Sequence, residues 1–146
     1  MNLSMRIILL SFSFFFSVMC MAQTENNPSE RTENGTVFLM RSTGYTGSAV
    51  ALNIFIDDIL VCRLMNNYYS THLIAPGVHR FSVQFAGKKS KNNAEKLEAN
   101  IEAGKKYFIQ LTFESGAFVN NIYCQEITEN SAKQAFKKLK GADSCQ

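Results

Sequence analysis

Apolar and polar residues alternate along much of this chain, a pattern typical of strands with one buried and one solvent-facing side. In Tyr107–Phe113 every odd-numbered position is apolar or aromatic, whereas Gln110 and Thr112 lie on the opposite face. The same alternation occurs in His79–Phe85 and Leu97–Ile101. Similar patterns predict further strands at Thr36–Arg41, Ala49–Ile56, Ile59–Leu64, Tyr68–Ile74 and Asn121–Ile127. We therefore predict a mainly β fold, an antiparallel β-sandwich of about seven to eight strands.

Near the end of the sequence the apolar period changes from that of a strand to that of a helix. Four apolar residues recur at positions i, i+3, i+4 and i+7: Ala132, Ala135, Phe136 and Leu139. This spacing predicts one amphipathic helix over 129–140, with Thr128 or Asn130 as its cap and Gly141 as its stop. We expect the helix to pack across the sandwich and to cover a sheet edge.

One turn carries a specific backbone requirement. Pro76-Gly77 fits the two central positions of a type II turn, in which the second residue has a positive φ. We expect Gly77 to adopt a conformation that a side chain would resist.

The first 22 residues have the features of a secretory signal peptide. Arg6 precedes the apolar run Ile7–Val18, and small residues at Cys20 and Ala22 suit cleavage before Gln23. Residues 23–35 are polar and predict a flexible tether, and we expect residues 36–146 to form a single domain. We expect export to the periplasm or cell surface, with no transmembrane segment once the signal is removed. An alternative stays open in which Cys20 carries a lipid anchor and the protein associates with the outer membrane.

The net charge and the number of cysteines limit the partners and the covalent cross-links that we expect. The formal net charge of +3 is too small to favour a nucleic-acid partner. Three cysteines remain after cleavage, so an oxidising compartment permits one disulfide. The predicted return of the helix along the sheet favours Cys124 with Cys145, and Cys62 with Cys145 is the alternative.

No catalytic motif is present, so we expect a non-enzymatic protein without cofactor or metal. His79 shares a strand face with apolar neighbours and is interpreted as a locally hydrogen-bonded residue. His72 has no metal-ligating residue at a suitable sequence spacing. Cys62 lies between apolar residues and is interpreted as a small filler of the core.

The segment 41–47 has the composition of a binding loop. It combines a cation, hydroxyl groups, glycines and one aromatic ring. Arg41 would offer paired donors to a carboxylate or phosphate, and Tyr45 would offer a flat surface to a sugar ring or protein. The alternative is a structural crossover in which Arg41 is tied to backbone carbonyls.

Several stretches resemble an uncharacterised bacterial family, a domain of unknown function found in exported proteins and lipoproteins. They are VFLMRSTGYTG at 37–47, NIFIDDILVCRL at 53–64, PGVHRF at 76–81 and GKKYFIQL at 104–111. The middle part is also similar to PEGA-type surface domains, whose hairpin turn is typically Asp-Gly. Asp58 stands in place of that glycine, so a two-residue type I′ turn would strain it unless the loop is wider. The resemblance implies a β fold and export, and no activity.

Together these observations predict a non-enzymatic exported β-domain that takes part in envelope or cell-surface interaction. Its expected partner is an envelope protein or a glycan. The alternative is a carrier of a small apolar or sugar ligand, because an aromatic-rich sandwich can enclose a cavity. A thiol-dependent enzyme is a distant third interpretation.

Overall fold

A computed structural model describes residues 33–44, 48–85, 95–115, 120–142 and 145. Nine strands and one helix lie within these residues. The strands are β1 Gly35–Arg41, β2 Leu52–Ile56, β3 Ile59–Leu64, β4 Tyr68–Ile74, β5 Gly77–Phe85, β6 Leu97–Ile101, β7 Lys106–Ser115, β8 Asn120–Ile127 and β9 Lys140–Gly141. The helix, α1, spans Glu129–Phe136 and precedes β9.

The strands form two sheets, which confirms the predicted β-sandwich. One sheet has the order β8-β7-β1-β4-β9 and is called sheet A; the other, sheet B, has the order β3-β2-β5-β6. Most neighbours are antiparallel, as predicted. Two pairs in sheet A are parallel instead, β1 with β7 and β4 with β9. Both join segments that are distant in the sequence, and such pairings need a crossover connection.

The inner faces of the two sheets meet in one apolar cluster. On β1 this cluster takes Val37 and Leu39, and on β7 it takes Ile109 and Leu111, all of them fully buried. Sheet B contributes Ile54, Phe81 and their inward neighbours. The alternation of the sequence therefore places its apolar positions in the core, as predicted for β7.

Helix α1 packs on the outer face of sheet A. Its Phe136 ring meets Phe38, Tyr69 and Phe108 edge-on, with ring centroids 4.9–6.2 Å apart. Edge-to-face contacts of this kind stabilise aromatic clusters beyond the area that they bury. Thr128 caps the helix by accepting a hydrogen bond from the Ser131 backbone N–H at 3.3 Å.

The helix is shorter than the predicted range of 129–140. It ends at Phe136, after which Lys140–Gly141 pairs in parallel with Tyr68 and Tyr69 at the edge of sheet A. Backbone N–H groups of Lys140 and Ala142 donate to the carbonyls of Asn67 and Tyr69 at 3.0 and 2.8 Å. The tail thus covers the β4 edge with a short strand rather than with a last turn of helix.

The backbone angles at Asp57, Asp58 and Gly77 test the two turns predicted from the sequence. Asp57 and Asp58 have φ values of 50° and 65°, so the β2–β3 hairpin closes with two residues of positive φ, as a type I′ turn requires. Asp58 thus adopts this conformation in place of the usual glycine. Its carboxylate lies 2.8 Å from Lys96 Nζ. Gly77 has a φ of 142°, a conformation that side chains resist, as predicted. Gly77 is the first residue of strand β5, however, and its φ is far from the value of a type II turn.

Candidate functional site

Two loops meet at one end of the sandwich, where β1 ends and β4 begins. Arg41 pairs with Tyr68 across sheet A, and Leu52 pairs with Leu64 across sheet B. The β1–β2 loop and the β3–β4 turn are consequently neighbours. The predicted binding segment, 41–47, belongs to the first of these loops.

Arg41 ties the two loops together from inside. Its side chain is 1% exposed, and its Nη1 donates to the carbonyls of Val50 at 2.7 Å and Leu64 at 2.8 Å. Burial lowers the pKa of the guanidinium because the charged form is desolvated. Hydrogen bonds from a charged donor to buried carbonyls are among the stronger ones. Arg41 is therefore the structural tether that the sequence left open as the alternative, and it does not present its guanidinium to solvent.

Asn66 fixes the β1–β2 loop from the other side. Its Oδ1 accepts the backbone N–H of Thr43 at 2.9 Å, and its Nδ2 donates to the carbonyl of Gly44 at 2.8 Å. The Thr43 hydroxyl lies 3.2 Å from the same Oδ1. One asparagine side chain thus satisfies the backbone of two residues in a loop that is distant in sequence.

A cleft of about 370 Å³ opens between the two loops. Its described lining consists of Gly44, Ser48, Asn66 and Asn67, and we call it the polar cleft. Gly44 and Asn67 both have positive φ, at 65° and 63°. Tyr45, the other predicted binding residue, belongs to the same loop and lies outside the described residues, so its role stays a prediction.

The cysteine pairing differs from the favoured prediction. Cys62 on β3 is bonded to Cys145, while Cys124 on β8 is a buried free thiol. The strand order explains the difference, because β8 and β9 lie at opposite edges of sheet A. Helix α1 crosses the outer face of sheet A from β8 to the opposite edge. The tail therefore ends beside β4 and β3, and not beside β8. Desolvation, with a smaller contribution from Glu95, raises the pKa of the Cys124 thiol to about 12.

His72 approaches this disulfide. Its Nε2 is 4.0 Å from Cys145 Sγ and 3.1 Å from the Ser70 hydroxyl. Burial lowers the pKa of the imidazole. One ligand atom from each of Cys62, His72 and Cys145 lies within 4.8 Å of the others, and we call these residues the thiol–imidazole cluster. The sequence predicted the Cys62–Cys145 pair only as the alternative and gave His72 no metal-ligating neighbour, so it did not predict this cluster. The available signal was that Cys62 and His72 lie on consecutive strands.

His79 makes the local hydrogen bonds expected from its strand position. Its Nδ1 lies 2.7 Å from an Asp57 carboxylate oxygen, and its Nε2 lies 2.9 Å from the Ala75 carbonyl. The other Asp57 oxygen accepts the Arg80 backbone N–H at 3.0 Å. His79 therefore braces the β2–β3 hairpin against β5.

Comparison with known proteins gives one distant relative without a described function. The chain is 26% identical over 111 residues to a protein of Haemophilus influenzae described as an uncharacterized protein. The matched part covers 76% of this chain and 62% of that protein. This likeness is consistent with a family of unknown function.

Two further comparisons give no match, since neither a family model nor a solved structure matches the chain. Within the described residues, no helix is both long and apolar enough to cross a bilayer.

Proposed function

We propose that this chain is a non-enzymatic, exported binding module of the cell envelope, and that the polar cleft is its ligand site. The observation that carries the proposal is the construction of the cleft. Arg41 and Asn66 hold its two loops through side-chain hydrogen bonds to backbone groups of residues 43, 44, 50 and 64. A site whose walls are fixed before binding loses less conformational entropy when a ligand enters.

The lining favours an uncharged, hydroxyl-rich ligand, and we infer that this ligand is an envelope glycan. The described lining residues offer one hydroxyl, two amide side chains and a glycine, and none of them is charged. Amides and hydroxyls both donate and accept hydrogen bonds, as recognition of sugar hydroxyls requires. Tyr45, which lies in the same loop of the sequence, would add an aromatic surface for a sugar ring.

The location of this module is part of the proposal. Export follows from the predicted signal peptide, with either a soluble mature chain or a lipid anchor at Cys20. The resemblance of the β2–β3 hairpin sequence to PEGA-type surface domains also supports a role at the cell surface. Carriage of an apolar ligand has less support, because the inner faces of both sheets contribute to one continuous cluster of buried side chains.

A glycan array of bacterial envelope polysaccharides tests the proposal. We expect the purified exported chain to retain a defined subset of glycans, and we expect the double variant Ser48→Ala/Asn67→Gly to lose it. Glycine suits position 67 because the native φ is 63°, so the backbone there is not strained by the change. The matched control is Asn100→Ala, which removes an exposed amide side chain on β6, outside the cleft lining. This variant should bind like wild type.

Two results would contradict the proposal. In one, no glycan is retained by the wild type, while an envelope protein binds through another surface. In the other, glycan binding persists unchanged in the double variant.

A further inference from the structure

The thiol–imidazole cluster joins three parts of the fold that are separate in sequence. Cys62 is an inward residue of β3 and 2% exposed, and His72 lies on β4, opposite Val37 of β1. Cys145 follows β9, and backbone hydrogen bonds from Lys140 and Ala142 to Asn67 and Tyr69 hold this part of the tail along the start of β4. The tail therefore brings a second sulfur to the place where Cys62 on β3, the edge strand of sheet B, and His72 on β4 of sheet A already lie close together.

These residues have the chemistry of a soft-metal site. Thiolate sulfur and imidazole nitrogen are the preferred protein ligands of Zn²⁺ and Cu⁺, and sets of two cysteines and one histidine bind zinc with one position left open. The nitrogen that faces Cys145 is Nε2, whose neighbour at 3.1 Å is the Ser70 hydroxyl. A metal ion at Nε2 would replace the hydrogen bond to Ser70.

The geometry points to a redox-gated site: in the dithiol state, Cys62, His72 and Cys145 bind one thiophilic d¹⁰ cation, Zn²⁺ or Cu⁺, and in the disulfide state they do not. The disulfide excludes the metal because its sulfurs are bonded to each other and carry no thiolate charge. Reduction breaks the S–S bond with two electrons and two protons from a dithiol reductant, which itself becomes a disulfide. Metal binding then releases two protons from the thiols.

The surroundings allow the required movement and access. Two thiolates on one zinc ion lie roughly 3.8 Å apart, given Zn–S distances of about 2.3 Å. Cys62 is held in a ladder with β2, whereas Cys145 belongs to neither a helix nor a strand, so Cys145 is the residue that would shift. A cleft of about 150 Å³, lined by Leu60, Val61, Arg63 and both cysteines, opens beside the sulfurs. This cleft provides an entry path and room for a fourth ligand.

Metal titration of the full purified chain tests the inference. The chain is reduced under anaerobic conditions and titrated with Zn²⁺, and separately with Cu⁺, against a chromophoric chelator. We expect one equivalent to bind the reduced chain and none to bind the oxidised chain. Cys145→Ser should abolish binding, and His72→Ala should weaken it at least tenfold. Cys124→Ala, which removes a cysteine outside the cluster, is the control and should match wild type.

Other outcomes overturn the inference. Substoichiometric binding by reduced wild type would do so, as would full affinity in His72→Ala or lost binding in Cys124→Ala. Far-UV circular dichroism follows folding in every sample. If the reduced chain unfolds, added Zn²⁺ should restore the β spectrum of wild type and not that of Cys145→Ser; failure of excess metal to restore it counts against the site.

Discussion

Loss of the Cys62–Cys145 bridge should be the largest single destabilisation that a cysteine substitution produces in this chain. The bridge closes a loop with a sequence separation of 83 residues and ties β3 to the tail. Cross-linking a loop of this length lowers the entropy of the unfolded chain by an amount worth about 4.5 kcal/mol at 25 °C. Small domains are typically stable by about 5–15 kcal/mol, so Cys145→Ala should remain folded at 25 °C with a clearly reduced free energy of unfolding.

Equilibrium unfolding in urea, followed by far-UV circular dichroism, measures this effect. With an m-value of about 2 kcal/mol/M, the midpoint of Cys145→Ala should fall by about 2 M relative to wild type. Cys124→Ala is the matched control, since it removes a buried sulfur that is in no bridge and should cost on the order of 1 kcal/mol. The reasoning fails if the two variants lose equal stability, or if the midpoint of Cys145→Ala falls by less than about 0.5 M.

Three further substitutions test the described contacts. Arg41→Met should lower the free energy of unfolding by on the order of 3 kcal/mol, because the buried carbonyl of Leu64 and the part-buried carbonyl of Val50 lose a charged donor. Urea unfolding beside the exposed control Arg63→Met measures this loss, and equal values would contradict the tether. Gly77→Val should cost about 1–3 kcal/mol at a φ of 142°, and an unchanged thermal midpoint would refute the strain. Desolvation raises the pKa of the Asp57 carboxyl, but hydrogen bonds and charges from Arg80 and His79 outweigh it and lower the pKa overall. The folded pKa is thus below the unfolded value, and this stabilisation is present above about pH 4 and lost as pH falls through the folded pKa. The free energy of unfolding of Asp57→Asn should therefore fall less steeply with decreasing pH than that of wild type. Identical acid profiles would show that the Asp57 carboxylate does not stabilise the fold.

Local patterns predicted the strands well, because the alternation of buried and exposed positions is set within each segment. Strands β3 and β4 have the predicted bounds, Ile59–Leu64 and Tyr68–Ile74. Strand β2 begins at Leu52, later than the predicted Ala49. The residues before it form the β1–β2 loop, in which the Val50 carbonyl accepts from Arg41.

Features that depend on the neighbours of each strand could not be predicted in the same way. The disulfide partner of Cys145 follows from the tail pairing with β4, a contact that no local pattern encodes. Proximity of His72 to the sulfurs follows from that same pairing. For Arg41 a signal existed, since it continues the inward alternation of Val37 and Leu39 and so falls on the buried face of β1.

The central claim, that the polar cleft is the ligand site, is tested most directly by nuclear magnetic resonance. ¹⁵N-labelled chain would be titrated with the envelope glycan retained on the array, and the amide shifts would be followed residue by residue. We predict that the largest shift changes occur at the backbone amides of Gly44, Ser48, Asn66 and Asn67, with sheet B and helix α1 unaffected. Shift changes centred on sheet B or the helix, with the cleft amides unmoved, would contradict the account.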